Sequence, residues 1–233
     1  MASHSDPVIG LLGGTGLEGR GLALRWCAAG HLVVIGSRDA VRARDVARRT
    51  GDVLHGCAGA RRPTGTDNRA AAEQASVAVL CVPYSAHAAV LQEVGRQLAG
   101  KVLVDVAVPL EPPNVWVASP PEAGSAAAEA QALLGSGTRV VAAFQNVAAG
   151  KLLSLDEPID CDVLVCGDDP DAKALTLRLV SDARMRGLDA GPLANARVVD
   201  GLTSVLIGIN RRYGSTSAGL RITNLPDSGR PAS

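Results

Sequence analysis

Residues 8–38, VIGLLGGTGLEGRGLALRWCAAGHLVVIGSR, decide the fold. Val8 to Leu12 is a short apolar run with the character of a buried strand. Gly14, Gly16 and Gly19 then give G-x-G-x-x-G, and Leu22, Leu24, Trp26 and Ala29 mark a helix that Gly30 ends. A second apolar run leads to Gly36-Ser37-Arg38. The glycines permit a sharp turn, close approach of backbone to a pyrophosphate, and tight packing of helix on strand, with the helix N-terminus facing the anion. The motif alone is weak. Set between an apolar strand and a helix, with a second strand at the right distance, it reads as a dinucleotide-binding unit.

The end of the second strand selects the nucleotide. NAD-specific units place an acid there, about 20 residues past the glycines, to accept from the ribose hydroxyls. This chain has Ser37 and Arg38, a hydroxyl and a guanidinium, which suit a 2′-phosphate. Arg42 falls four residues on, on the same side of a helix beginning near Asp39. Ser37, Arg38 and Arg42 are therefore assigned to the 2′-phosphate of NADP. Arg44, Arg48 and Arg49 are read as a solvated basic helix face.

Further along, strand-like and helix-like runs alternate. Val77–Val82 is followed by a helix over Ala86–Leu98, and Val102–Val106 by a proline-rich loop. Ser125–Leu134 is an Ala-rich helix, Val140–Ala143 a strand, and Cys161–Cys166 another. A helix then runs through Arg184, Leu188–Asp189 is a last short strand, and Leu193–Arg212 a long helix. This order predicts an α/β fold, a Rossmann-type doubly wound and mainly parallel sheet, with a small C-terminal α/β extension. Residues 7–150 are read as the NADP-binding part, 151–225 as a C-terminal part completing the site, and 226–233 as a disordered tail. Residues Gly56–Thr66 read as an irregular insertion. Ligands in such sheets bind at the carboxyl ends of the strands: Gly13–Gly19, Gly36–Arg38, Val82–Tyr84, Val108–Leu110 and Phe144–Ala149. Pro83 and Pro109 either end strands or touch the ligand.

Composition bounds the function. With 23 basic and 23 acidic residues the net charge is zero, which gives no footprint for nucleic acid or a membrane surface. No apolar run approaches the roughly 18 residues of a span, and MASHSDP lacks a signal-peptide pattern, so a cytoplasmic protein is expected. Cys27, Cys57, Cys81, Cys161 and Cys166 show neither C-x-x-C nor zinc spacing. Cys161 and Cys166, five apart on extended chain, face opposite ways and do not bridge. His4, His31 and His87 are too scattered for a metal site or a Ser-His-Asp triad. Any flat ring bound here rests mainly on aliphatic side chains, because aromatic residues make up only 2% of the chain.

Three further segments carry a resemblance: AAFQNVAAGKL (residues 142–152), CDVLVCGDD (161–169), and LDAGPLANARVVDGLTSVLIGINRRYG (188–214) with GLRI at 219–222. With LLGGTG and IGSR, these resemble the F420-dependent NADP oxidoreductases over about Val8 to Leu225. That family moves hydride between NADP(H) and an 8-hydroxy-5-deazaflavin, coenzyme F420. The resemblance implies that Gly14, Thr15, Gly16, Leu17 and Glu18 hold the pyrophosphate, and that Val82, Pro83, Val108 and Ala149 line the nicotinamide. It assigns the deazaflavin to Gln145, Val147, Gly201, Thr203 and Ala218. Gln145 and Gly201 depart from the His and Ser that the pattern leads one to expect. Read without the resemblance, Gln145 and Asn146 satisfy backbone groups at a strand end, and Thr203 bonds back to its own helix.

The resemblance implies an enzyme with two small-molecule cofactors, no metal and no acid–base or nucleophilic residue, working as a homodimer in the cytoplasm. Two other readings stand beside it. One is an NADPH-dependent reductase of a small carbonyl or imine, the other a non-catalytic NADP(H)-sensing module.

Overall fold

The computed structural model describes residues 7–225, so the tail expected over 226–233 and His4 lie outside the described residues. The first unit is β1 (Ile9–Leu12), α1 (Leu17–Ala28) and β2 (Val33–Ser37), as the glycine motif predicts. α2 (Ala40–Val53) follows, capped by Asp39, whose carboxylate accepts from the Val41 and Arg42 amides. Then come β3 (Thr64–Asp67), α3 (Asn68–Gln74), β4 (Val77–Leu80), α4 (Tyr84–Leu98) and β5 (Val102–Asp105). After the proline-rich loop, Ser125 caps α5 (Ala126–Leu134), and β6 (Arg139–Ala142) and a single-turn α6 (Ala149–Leu152) follow. The chain closes with β7 (Asp162–Gly167), α7 (Pro170–Asp182), β8 (Arg186–Asp189) and α8 (Ala196–Tyr213).

The strands form one eight-stranded sheet in the order β3-β2-β1-β4-β5-β6-β7-β8. All neighbours are parallel except β6 and β7, which pair antiparallel through Val141 with Gly167 and Ala142 with Cys166. The C-terminal residues thus extend the same sheet. Both faces are covered, and the strands alternate between two cores. Ile9, Leu11, Val77, Val79, Val102 and Val104 pack on the side of α1 and α7, whereas Leu12, Ala78, Leu80 and Leu103 pack on the side of α4 and α5. Alternation with both classes apolar is what a doubly covered parallel sheet demands. No helix among the described residues is long and apolar enough to cross a membrane.

β3 corrects one expectation. Residues 64–66 were read as part of an irregular insertion, yet Thr64–Asp67 pairs in parallel with β2, Val34 opposite Thr64. T-G-T-D has no apolar alternation because an edge strand half open to solvent needs none. Its place is fixed by α2, which lies so close that a Cβ at Gly65 would overlap the Ala43 carbonyl.

Two glycines set the spacing of α3. A Cβ on Gly10 would stand 2.7 Å from Ala75 Cβ and 2.8 Å from the Ala71 carbonyl oxygen. One on Gly36 would stand 2.9 Å from Ala71 Cβ and 3.0 Å from Asn68 Oδ1. Without those methyl groups α3 settles onto β1 and β2.

Buried polar groups join the C-terminal residues to the first unit. Arg25 of α1, 2% exposed, donates to the carbonyls of Lys151, Leu152, Ser154 and Ala183. Trp26 Nε1 donates to the Leu179 carbonyl at 2.8 Å. Its ring meets Phe144 edge-on at 5.9 Å between centroids, a favoured aromatic geometry. Along β7, Asp162 binds Arg186 through two bonds of 2.7 and 2.6 Å and accepts from the Ile222 amide at 2.7 Å. Burial pushes this carboxyl up, but those bonds prevail and hold it below its ordinary range.

Candidate cofactor site

The turn after β1 is prepared for a phosphate. Gly13 takes φ +71°, and its amide donates to Asn68 Oδ1 at 3.0 Å. The Gly14 amide donates to the Gly36 carbonyl at 2.9 Å, tying the turn to β2. A Cβ on Gly19 would stand 2.5 Å from Gly14 Cα, so this pair of glycines lets α1 approach the strand. Gly16 differs. It is the N-cap of α1, no side chain caps the helix there, and a Cβ would find nothing within 4 Å. Open space in front of uncapped helix amides is the arrangement a pyrophosphate requires.

Beyond β2 the surface turns basic. Ser37 is buried and its Oγ accepts from the Asp39 amide at 3.2 Å. Arg38 and Arg42 are exposed and form no ion pair among the described residues. Arg48 and Arg49 are held by Asp45, and Arg48 also by Asp52, on the outer face of α2. Asp39, next to Arg38 in the sequence, is occupied with capping α2. Arg48 and Arg49 thus lie in surface ion pairs, while the guanidinium groups of Arg38 and Arg42 are left for a ligand to meet.

On the other side of the turn, a cleft of about 620 Å³ runs over the carboxyl ends of β4 and β5. It gathers Gly16, Leu17, Glu18, Val82, Pro83, Val108, Gln145, Val147 and Thr203 from the sequence assignment. Cys81, Tyr84, Ser85, Val106, Ala107, Leu110, Pro112 and Val115 complete the lining. The walls are mainly aliphatic with a few polar groups, the usual make-up of a cofactor site. Thr15 and Gly14 belong to the turn beside it. Ala149, Ala218 and Gly201 are not brought to the lining. Gly201 instead borders a cavity of about 60 Å³ with Asp200, Ser204 and Pro109, and the Ala218 amide donates to Asn210 Oδ1 at 2.9 Å.

The polar groups of the cleft are linked. Phe144 leaves β6 with φ +75°, a conformation that is costly for a bulky side chain, and so turns the chain toward the cleft. Gln145 Nε2 donates to the Asp105 carbonyl at 3.0 Å, while its Oε1 is buried without a partner. Asn146 Nδ2 donates to the Val199 carbonyl and to Thr203 Oγ1, each at 3.0 Å. The Thr203 hydroxyl donates to the Gln145 carbonyl at 2.9 Å. Thr203 therefore does not bond back to its own helix. It ties α8 to the loop after β6, and Gln145 does satisfy a backbone carbonyl while keeping one oxygen free.

Several residues were missed from sequence. Asp105 is fully buried, and its Oδ2 lies 2.7 Å from Nε2 of the equally buried His87. Burial pulls the His87 pKa down, but the Asp105 hydrogen bond and charge outweigh it and raise it. Asp200 accepts from the Ala126 amide at 3.1 Å, and burial followed by the Asp105 charge lifts its carboxyl to about 7. Glu18, which the sequence does assign to the cofactor, is half-buried with Oε1 unpartnered, and burial, then Asp105, lifts it to about 8. An acid closing the apolar strand β5 was a readable signal for Asp105. Asn68, in a polar edge segment, carried none.

Residues 8–109 match the family model described as NADP oxidoreductase, coenzyme F420-dependent. The chain is 40% identical to the F420-dependent NADP reductase of Methanothermobacter marburgensis, over 94% of this chain and 99% of that one. It is 37% identical to the F420-dependent NADP reductase of Methanocaldococcus jannaschii, over 93% and 98% of the two chains. Among solved structures, a putative F420-dependent NADP reductase from Arthrobacter sp. FB24 superposes with a TM-score of 0.75 at 25% identity. That match spans 93% of this chain and 99% of the other.

Proposed function

The chain belongs to the F420-dependent NADP oxidoreductase family, and we propose that it exchanges hydride between NADP(H) and coenzyme F420 in the cleft over β4 and β5. One observation carries this reading. A single cavity begins at the uncapped N-terminus of α1 and continues without interruption to Gln145, Val147 and Thr203. The dinucleotide turn and the residues that the family likeness gives to the deazaflavin thus open into one space.

In this reading Thr15, Gly16, Leu17 and Glu18 present backbone amides to the pyrophosphate, Gly14 shapes the turn with its amide held by the Gly36 carbonyl, and Ser37, Arg38 and Arg42 take the 2′-phosphate. Val82, Pro83 and Val108 support the nicotinamide, with Ala149 outside their contact. Gln145, Val147 and Thr203 form the wall for the deazaflavin. Gly201 and Ala218, which border other parts of α8, are assigned no contact with the ring. Residues 7–150 then serve NADP(H), and residues 151–225 supply the α8 anchor of the second wall.

When bound, the two cofactors supply the chemistry, a hydride passed between C4 of the nicotinamide and C5 of the deazaflavin. The protein's task would be to hold the two rings against each other and to exclude water with the walls of Val82, Val106, Val108 and Pro83. No side chain is needed as nucleophile, general acid or general base. We further place the protein in the cytoplasm as a homodimer, for which the exposed Val198, Val205 and Tyr213 of α8 offer apolar surface. Light scattering on a sizing column tests that state.

The activity is tested by mixing the protein with NADPH and oxidised coenzyme F420 and following the visible absorbance of the deazaflavin. Bleaching that depends on both protein and NADPH is expected. Absence of turnover in either direction would overturn the reading.

A further inference from the structure

A pyrophosphate role for Glu18 needs only its backbone amide in the uncapped first turn of α1, and it leaves the side chain unexplained. Glu18 is the second residue of α1, and it lines the cleft. Its Oε1 is buried without a hydrogen-bond partner, and it forms no ion pair among the described residues. The groups around it are acidic or neutral. Asp105 at the end of β5 and the Cys81 thiol just past β4 are both close enough for their charges to couple with it, and Gln145 shares the lining. The charge of Asp105 is itself matched by His87. A carboxyl in this position has every reason to stay neutral while nothing positive faces it.

NADP(H) supplies such a positive group in only one of its two states. The pyrophosphate sits at the N-terminus of α1 and the adenosine half extends toward β2, so the nicotinamide half lies over β4 and β5. Glu18 lines the same cleft, and its coupling to Asp105 at the end of β5 and to Cys81 just past β4 puts its carboxyl at that end. The oxidised ring is a cation and the reduced ring is neutral; all other charges of the two nucleotides are the same.

We propose that Glu18 is a proton-linked reader of the nicotinamide redox state, neutral in the free protein and beside NADPH, ionised beside NADP⁺. Binding of NADP⁺ then expels one proton that NADPH binding does not, and the preference for the oxidised over the reduced nucleotide grows with pH. This rests on the cleft being the NADP(H) site. In the free protein the Glu18 carboxyl is lifted to about 8, which sets the window. Below that value, each pH unit gained should strengthen NADP⁺ relative to NADPH by up to about tenfold, until the carboxyl is ionised without ligand. Titration of the 2′-phosphate is common to both nucleotides and cancels in the ratio.

The test needs no turnover. NADP⁺ and NADPH are titrated by calorimetry between about pH 6 and about pH 8, in buffers of different ionisation enthalpy, with wild type and Glu18→Gln. Wild type should release close to one proton per NADP⁺ at neutral pH and almost none per NADPH. Its affinity ratio should move roughly 30-fold across the window. Glu18→Gln should release none with either nucleotide and hold a flat ratio. Equal proton release for the two nucleotides in wild type overturns the proposal whatever the variant does, and so does a variant that keeps the wild-type slope. If neither nucleotide binds wild type at all, the assignment of the cleft falls first and the role of Glu18 with it.

Discussion

Removing the Thr203 hydroxyl should loosen the wall of the cleft and weaken deazaflavin binding together. Thr203→Val keeps the shape of the side chain and deletes one oxygen. That oxygen donates to the Gln145 carbonyl at 2.9 Å and accepts from Asn146 Nδ2 at 3.0 Å. The Asn146 amide keeps its bond to the Val199 carbonyl, so its loss is small, on the order of 0.5 kcal/mol. The Gln145 carbonyl loses its hydroxyl donor, a lost bond plus part of a desolvation penalty, together about 1.5–2 kcal/mol. A sum near 2 kcal/mol should lower the urea midpoint by roughly 1 M, given a denaturant slope of about 2 kcal/mol per M. Thr203→Ser, which keeps the oxygen, should recover most of the loss. In steady-state assays Thr203→Val should raise the KM for coenzyme F420 several-fold and leave the Kd for NADPH unchanged, because the proposed nucleotide contacts come from α1 and β2. A variant with the wild-type midpoint would refute the anchoring role of the hydroxyl. A variant with the wild-type KM would show that the ring binds elsewhere.

Arg38→Ala should cost NADPH a charge-assisted phosphate contact of about 1.5–3 kcal/mol, a ten- to hundredfold loss, with little change for NADH; equal losses for both would mean that Arg38 does not read the 2′-phosphate. Gly16→Val should fold with nearly wild-type stability, since its Cβ meets nothing within 4 Å, yet lose NADPH in a fluorescence titration. Gly19→Ala, by contrast, should unfold at lower denaturant, because its Cβ would stand 2.5 Å from Gly14 Cα. Burial, with Asp105, lifts Asp200 from 3.8 to about 7. A folded-state pKa above the unfolded one gives stability that is full at low pH and is lost as pH rises through the folded value. Wild type should therefore lose stability between about pH 4 and 7, and Asp200→Asn should recover part of it, on the order of 2–3 kcal/mol at the upper end; parallel pH profiles for the two proteins would contradict this.

The first unit was legible because its signals are local. A strand, a turn and a helix each need particular residues at fixed spacings, and Gly14, Gly16 and Gly19 stand in one short run. The end of β2 at Ser37 was legible for the same reason. β3 was not, because T-G-T-D is held by α2 and β2 rather than by its own pattern. The polar groups behind the cleft were hidden by distance along the chain. His87 meets Asp105 across 18 residues, and Asn146 meets Thr203 across 57. Glu18 shows the limit most clearly. Its place in the motif suggested the pyrophosphate, and only the packing of α1 on the sheet directs its carboxyl under the other end of the cleft. For Gly201 and Thr203, two residues on a helix are enough to face different cavities.

The bare glycines at 10 and 36 have a consequence that reaches beyond packing. They let α3 ride low on the sheet, and Asn68 at the head of α3 thereby arrives at the Gly13 amide. A methyl group added in that seam would act as a wedge, lifting the helix like the short arm of a lever and withdrawing its tip from the nucleotide loop. Two positions hidden beneath α3 then set the shape of the loop from behind, and a thermal-shift screen of Gly10→Ala and Gly36→Ala should find heat resistance and NADPH retention failing in step.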